Sequence, residues 1–241
     1  EPADAFGGPD RAHESFTPVQ KAISYSMTSF FTTGGIRGGK KKLDKFFPRS
    51  FNMGIRRDVY EKLGGFSKMR FGEDIDFSYR IVEAGCSTRL FPEAWVWHKR
   101  RTDFRKFFRQ VYNSGIARIN LMKLHPGTLK LVHLLPMVFT VGVIALLLCS
   151  AVGRALMHYD PTHFHRWYLM AALPLIPILL YSLVIFIDST CKNRSLRVGL
   201  LSVPAAFTQL MGYGFGFLEA WWKRCVRGQD MFTAFEKNFY Q

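Results

Sequence analysis

The stretch Gly72-Glu73-Asp74-Ile75-Asp76 opens a short helical pattern, and a strand-like run that ends in His98 follows it. A helix from about Asp74 to Ala84 is predicted, because apolar side chains recur at helical spacing and Gly85 follows as a stop signal. Apolar segments of membrane-spanning length begin shortly downstream. Carboxylates, an imidazole and membrane segments together suggest chemistry at a lipid surface.

The predicted helix start places two carboxylates, Glu73 and Asp74, among unpaired backbone amides. The helix dipole favours ionised carboxylates there, whereas repulsion from Asp76 acts the other way. Asp74 is therefore a candidate catalytic base. Acidic residues are also ordinary helix starters, and the local pattern alone leaves that alternative open.

A histidine closes the second of two short predicted strands, over residues 88–91 and 94–98. His98 is followed at once by Lys99, Arg100 and Arg101. Neighbouring cations favour the neutral, metal-binding form of a histidine, and they also suit a diphosphate. The alternative is a surface histidine in a basic stretch near the membrane.

A glycine-rich basic loop runs from Phe31 to Lys42 and includes Gly34 and Gly35. Such loops let backbone amides approach phosphates. This loop matches neither the P-loop nor the dinucleotide fingerprint, and a flexible solvated turn explains it equally well.

The composition differs between the two halves of the chain. Residues 1–128 carry 23 Lys and Arg against 13 Asp and Glu, whereas the long apolar runs lie after residue 128. We therefore expect a basic, water-soluble first half and a bilayer-like second half. The four cysteines are scattered singly, which argues against a zinc knuckle or a disulfide framework and fits a reduced, cytosol-facing soluble part.

Two transmembrane helices are predicted, over Val132–Val152 and Trp167–Ile187, and Val198–Trp222 is a weaker third candidate. The distribution of Lys and Arg places the soluble part in the cytoplasm. Three crossings would put the basic residues after Trp222 outside, against the same rule, so the side of the C-terminal tail stays open.

A basic amphipathic helix is predicted from Thr102 to Lys123, just before the first span. We expect it to lie in the headgroup layer and to attract anionic lipid. The alternative is an ordinary helix packed on its own domain.

Several motifs occur in an order and spacing that resemble a family 2 glycosyltransferase over about residues 30–125. They are Ser50-Phe51-Asn52-Met53-Gly54-Ile55-Arg56-Arg57, Leu63-Gly64-Gly65-Phe66, Gly72-Glu73-Asp74-Ile75-Asp76, Arg80, Gly85, Pro92-Glu93-Ala94 and His98. The resemblance implies an α/β fold, the C-terminal, acceptor-side half of an A-type glycosyltransferase domain, followed by an α-helical transmembrane region. It implies the domain order 1–101 catalytic, 102–128 interfacial helix and linker, 129–222 two to three transmembrane helices, and 223–241 basic tail.

The same resemblance assigns roles to residues. Asp74 matches the general base of an inverting transfer, and Glu73 supports the acceptor site. Asn52, Met53 and Gly54 match a loop near the donor sugar, and Gly34 and Gly35 join the sugar-binding set.

On the donor side, His98 corresponds to a histidine that helps to hold Mg²⁺ or Mn²⁺ on the donor diphosphate, with Arg100 and Arg101 as nearby cations. The D-x-D motif that shares this metal has no counterpart here, since Asp74-Ile75-Asp76 is the base motif. We therefore expect an upstream half outside this chain, little activity from this chain alone, and a function that belongs to the parent enzyme.

The predicted function is a bacterial, inner-membrane inverting transfer from a nucleotide sugar to a lipid-linked or surface-glycan acceptor at the cytoplasmic face. The alternative is a non-catalytic membrane adaptor that binds anionic lipids. Nucleic-acid binding is disfavoured, because much of the net charge of +15 lies at membrane boundaries.

Overall fold

The computed structural model describes residues 3–33 and 46–230, so Gly34 and Gly35 of the predicted phosphate loop lie outside the described residues. The described strands are short, and they are β1 (Ala5–Gly7), β2 (Asp10–Arg11), β3 (Met53–Ile55), β4 (Thr88–Leu90) and β5 (Val96–Trp97). The α-helices of the first half are α1 (Pro18–Thr28), α2 (Phe30–Thr33), α3 (Arg57–Leu63), α4 (Glu73–Glu83) and α5 (Phe104–Leu124). Those of the second half are α6 (Leu135–Tyr159), α7 (Phe164–Ala172), α8 (Leu175–Asn193) and α9 (Leu196–Trp221).

The strands form two small sheets. In the first, β1 lies in the middle, antiparallel to β3 and parallel to β4. In the second, β2 pairs in parallel with β5. The first sheet packs on α4, because Phe77 and Ile81 are fully buried beside Ala5. The sheet therefore fixes the helix that carries the acidic motif.

The helices around this sheet follow the sequence pattern closely. Helix α3 begins at Arg57 and ends at Leu63, and α4 begins and ends one residue earlier than predicted. Glycines with positive φ flank both helices, Gly64 at 73° and Gly72 at 85°. Glycine adopts a positive φ with little steric strain because it has no Cβ, which explains why both helices have sharp boundaries.

The apolar face of α5 is covered by protein. Phe107 and Val111 pack on α1, whereas Ile116 and Ile119 pack on α9, and all four side chains are buried. The sequence pattern predicts that this face rests in the headgroup layer. The structure corrects that point, because two other helices occupy the space that lipid would fill.

Three helical segments are long and apolar enough to cross a membrane, judged by length and composition: Leu135–Tyr159, Pro161–Asn193 and Leu196–Val226. The second contains the break between α7 and α8. The third contains α9, which continues through Pro204 as one helix of 26 residues. Of the three segments, it is also the one most buried by protein.

The two halves of α9 contact different neighbours. Its first half lies along the last turns of α8, where the hydroxyl oxygens of Ser202 and Ser189 are 2.6 Å apart. Its second half lies along the first turns of α6, where Gly214 abuts Pro136 and Thr140. The two ends of α9 therefore lie near the end of α8 and the beginning of α6.

Helix α1 joins the first half of the chain to these membrane helices. Ala22 packs against Val198 of α9, and the Tyr25 hydroxyl donates a hydrogen bond to Asp188 Oδ2 of α8 at 2.6 Å. The composition of the sequence predicts that this segment belongs to a water-soluble half. In the structure, its buried face belongs to the membrane region.

Candidate active site

Asp74 lies in the first turn of α4, with 17% of its side chain exposed. Its Oδ1 accepts a hydrogen bond from the backbone N–H of Ile75 at 2.9 Å. A Cβ at Gly72 would lie 3.2 Å from the Ala117 side chain, so this end of α4 abuts α5. The helix start thus fixes one carboxylate oxygen and leaves Oδ2 for other contacts.

The turn Arg49–Asn52 brings Asp74 and His98 to the same part of the fold. The Asn52 N–H donates to the Arg49 carbonyl at 2.9 Å and closes the turn. On one side, Arg49 Nη1 lies 3.8 Å from Asp74 Oδ2. On the other side, the Phe51 ring stacks on the His98 ring with centroids 4.8 Å apart.

This turn is also held to α4, since the Ser78 hydroxyl donates to the Pro48 carbonyl at 2.6 Å. The predicted base and the predicted metal ligand are therefore linked through four consecutive residues. Neither Arg49 nor Phe51 was singled out from the sequence, and no local pattern around them indicated these contacts.

Asn52, Met53 and Gly54 lead from this turn into β3. The Asn52 amide donates to the Ala94 carbonyl at 2.6 Å. Met53 packs against the core beside Phe77, and Gly54 lies under the ring of Phe6, where a side chain would collide. In the structure these residues anchor the strand.

Glu73 faces a cleft of about 410 Å³, which is also lined by Ser67, Lys68, Met69 and Arg70. Burial raises the pKa of the Glu73 carboxyl above its ordinary value, and the charge of Asp74 acts in the same direction. An acidic side chain of raised pKa at the edge of a cleft is suited to hydrogen bonding a hydroxylated ligand.

His98 belongs to a cluster with Asp10 and Arg100. Its Nδ1 lies 3.4 Å from Asp10 Oδ2, and Arg100 Nη1 lies 2.7 Å from the same oxygen. Burial alone would raise the pKa of Asp10, but the contact with His98 and the charge of Arg100 bring it down to about 2. Asp10 was missed in the sequence, because only the pairing of β2 with β5 brings it to His98.

The two predicted diphosphate cations have different surroundings. Arg100 is 6% exposed and is engaged by Asp10, while its Nε lies 3.4 Å from the Ser24 hydroxyl. Arg101 is exposed, and its Nε donates to Gln110 Oε1 at 3.2 Å. Of the two, Arg101 has the accessibility that a diphosphate contact requires.

A divalent metal needs several oxygen or nitrogen ligands. The described residues contain no group of three or more His, Cys, Asp or Glu side chains placed to hold one. At His98 itself, the nearest carboxylate is that of Asp10, and Arg100 competes for it. A metal on His98 would therefore need further ligands from beyond the described residues.

The second aspartate of the acidic motif has a structural role. Asp76 is buried and accepts from Arg80 Nε at 3.0 Å, and the His125 Nε2 lies 2.9 Å from its Oδ1. Arg80 also donates to the carbonyls of Leu63 and Gly65. Burial alone would raise the pKa of Asp76, but hydrogen bonds and the Arg80 charge lower it.

His125, which lies just beyond α5, was not among the residues predicted from the sequence. It bridges two carboxylates of α4, since its Nδ1 lies 2.9 Å from Glu83 Oε1. Asp76 and Glu83 are seven residues apart, so they lie on one face of the helix. This spacing is the sequence feature that could have indicated a shared partner.

Comparisons with known proteins identify the family of this chain. The chain matches the family model described as Glycosyl transferase family group 2 over residues 45–186. It is 34% identical over 59 residues to a probable glycosyltransferase YdaM of Bacillus subtilis, covering 24% of this chain and 14% of that protein. It is 29% identical over 102 residues to a pre-mycofactocin glycosyltransferase of Mycobacterium tuberculosis, covering 42% of this chain and 21% of that protein.

No solved structure matches the chain, so the A-type fold is not established by a structural relative. The matched segments span about a fifth or less of the curated relatives. The family match, in contrast, extends over more than half of this chain, from before the Arg49–Asn52 turn into the second membrane segment. The resemblance inferred from the sequence is confirmed, and the chain belongs to glycosyl transferase family group 2.

Proposed function

We propose that the full-length protein transfers a sugar, with inversion, from a nucleotide sugar to a lipid-linked or surface-glycan acceptor. The observation that carries this proposal is the Arg49–Asn52 turn, which contacts both Asp74 and His98. The family match supports sugar transfer as the reaction class. The non-catalytic adaptor is the weaker alternative, because a lipid-binding role explains neither contact.

In this proposal, Asp74 is the general base. Its Oδ1 is held by the Ile75 N–H, and Oδ2 takes the proton from the acceptor hydroxyl. The acceptor oxygen then bonds to the anomeric carbon as the bond to the nucleoside diphosphate breaks on the opposite face. Glu73, at the edge of the cleft, hydrogen bonds the acceptor.

The donor lies on the His98 side of the turn. Asn52, Met53 and Gly54 border the donor sugar, with Gly34 and Gly35 from the predicted loop, and Arg101 contacts the diphosphate. Mg²⁺ or Mn²⁺, when bound by His98 together with carboxylates outside this chain, would neutralise charge on the leaving diphosphate. The proposed division of the chain is unchanged: catalytic residues 1–101, the helix and linker 102–128, the membrane helices 129–222 and the basic tail 223–241.

The catalytic part lies on the cytoplasmic side, and α9 does not cross. If α6 and α8 both span, the beginning of α6 and the end of α8 share one side. Because α9 contacts both, its two ends lie on that side as well. Lys and Arg occur before α9 and directly after it, which favours the cytoplasm for both.

Two native cysteines test this topology. Cys191 precedes α9 in the sequence and Cys225 follows it, and both are exposed. In variants that retain one of them, a membrane-impermeant maleimide should label each residue in inverted vesicles and neither in right-side-out vesicles. Labelling of Cys225 from the opposite face to Cys191 would mean that α9 crosses.

Asp74→Asn in the full-length protein tests the catalytic role. We expect transfer to fall about 100- to 10,000-fold, as for loss of a general base. Asp58→Asn is the matched control, because Asp58 is exposed on α3. Unchanged transfer by Asp74→Asn would exclude Asp74 as the base. The adaptor alternative makes a different prediction, that liposome binding is lost only when Arg105, Lys106 and Arg109 lose their charge.

A further inference from the structure

Positive charge collects beside Asp74. Arg49 and Arg118 come from different elements, the turn before β3 and helix α5. Arg118 Nη1 donates to the Tyr79 hydroxyl at 3.1 Å, and its buried Nε has no hydrogen-bond partner among the described residues. Arg49 lies 3.8 Å from Asp74, beyond hydrogen-bond distance. Each guanidinium therefore retains donors that are not used.

The two side chains approach the same end of α4, because Arg49 Nη1 lies 3.8 Å from Asp74 Oδ2 and Arg118 follows Ala117, which abuts Gly72. Burial lowers the pKa of Arg49, the charge of Asp74 opposes this effect, and the charge of Arg118 adds to it. Bringing two partly buried cations to one carboxylate is unfavourable unless a further anion joins them. The surplus of positive charge thus indicates an anionic ligand.

His133 lies at the membrane boundary, at the end of the 3-10 turn Leu131–His133 and directly before the span that begins at Leu135. It also lies beside α5, because the adjacent Leu134 packs on the buried cluster that contains Ile116 and Ile119. Burial lowers its pKa to about 4, and the charges of Arg118, Lys130 and Arg49 act in the same direction. Its Nδ1 accepts from the Lys130 N–H at 3.0 Å, so the neutral ring carries its proton on Nε2 as a donor.

We propose that Arg49 and Arg118, with His133, form a phosphate-binding subsite next to Asp74, and that the phosphate is the one that joins the lipid to the acceptor sugar whose hydroxyl Asp74 deprotonates. The planar donor forks of arginine match phosphate oxygens. This inference rests on the proposed function, because it specifies the acceptor that Asp74 deprotonates.

The nucleotide-sugar donor also contains phosphate, so the donor and the acceptor must be distinguished as the molecule that binds this subsite. The position favours the acceptor, because His133 immediately precedes the first span while the predicted donor residue His98 lies on the other side of the Arg49–Asn52 turn. A phosphate carried by a membrane lipid would reach this boundary without leaving the headgroup layer.

Binding to the detergent-solubilised full-length protein tests the subsite with dodecyl phosphate as the lipid probe and UDP as the donor probe. Arg118→Gln should weaken dodecyl phosphate binding about 10- to 100-fold, as for loss of charged hydrogen bonds, and leave UDP affinity unchanged. Arg105→Gln is the matched control, because it removes the same charge from an exposed position of α5. Unchanged dodecyl phosphate binding by Arg118→Gln would overturn the subsite.

Two further arms separate the possible outcomes. Loss of UDP affinity with dodecyl phosphate binding intact would assign the cations to the donor and overturn the acceptor assignment. In the wild-type protein, inorganic phosphate should compete with dodecyl phosphate, and absence of competition would also overturn the subsite. Asp74→Asn should retain dodecyl phosphate binding even though transfer is lost, so failure of the base and failure of the subsite are distinguishable.

Discussion

Replacing Gly216 with alanine should force α5 and α9 apart. A Cβ there would lie 2.8 Å from the backbone carbonyl carbon of Tyr112 and closer still to its oxygen. Carbon atoms in contact settle at about 3.5–4.0 Å, so the helices must separate by about 1 Å. Gly115 makes the reciprocal contact, since a Cβ there would lie 2.7 Å from the Phe217 nitrogen.

Gly142→Ala is the matched control, because a Cβ at Gly142 meets nothing within 4 Å. Both changes lie inside helices, so both gain the same helix propensity of about 1 kcal/mol and this contribution cancels. The remaining difference is the overpacking at Gly216, about 1 to 3 kcal/mol. Gly216→Ala should therefore be less stable than Gly142→Ala by that amount.

The assay is SDS titration of the protein in mixed micelles, with tryptophan fluorescence as the measure of unfolding. Equal unfolding free energies for the two variants would refute the close contact of α5 with α9. Transfer by the full-length Gly216→Ala protein should also fall, because Ala117 of α5 touches Gly72 at the start of the acidic motif.

Other changes probe the remaining contacts with the same titration. Asp76→Asn should lower the unfolding free energy by about 3 kcal/mol, because it leaves the buried partner His125 without its carboxylate. Because the pKa of Asp10 falls from 3.8 to about 2 on folding, its carboxylate stabilises the fold above pH 3.8 and this stabilisation is lost as the pH falls towards 2. Asp10→Asn should remove that acid-dependent loss, and an unchanged acid profile would contradict the assignment. Tyr25→Phe should cost about 1 to 2 kcal/mol by removing the hydrogen bond to Asp188, and no loss would mean that α1 is not held to α8 through it.

Local features of the fold could be predicted because their causes are local. Helix α3 ends just before Gly64 and α4 begins just after Gly72, and both boundaries follow from glycine conformation and apolar spacing. The order of the acidic motif, the Asn52 region and His98 was enough to indicate the family. These features need no knowledge of which distant segments meet.

The partners of the site could not be predicted, because they depend on long-range pairing. Asp10 reaches His98 only through the pairing of β2 with β5. Arg49 reaches Asp74 because Ser78 holds the preceding residue to α4. No spacing rule connects these positions in the sequence.

Helix α5 illustrates the limit of an amphipathic pattern. An apolar face beside a basic face is equally compatible with lipid and with another helix. The deciding information lies in α9, in the glycines Gly212, Gly214 and Gly216. Small residues at this spacing allow close helix packing, and Gly212 and Gly216 are the ones that contact α5.

The same packing determines where the candidate base lies relative to the membrane. One side of α5 touches Gly72 through Ala117, and the opposite side contacts α9 through Gly115. At the far end, Arg224 Nη1 donates to Asn120 Oδ1 at 2.8 Å. Because α5 is fixed on both sides, Asp74 cannot move towards or away from the membrane helices independently of α9. An acceptor bound at the membrane boundary would therefore meet a base at a set depth, which is the condition that transfer to a lipid-linked hydroxyl requires.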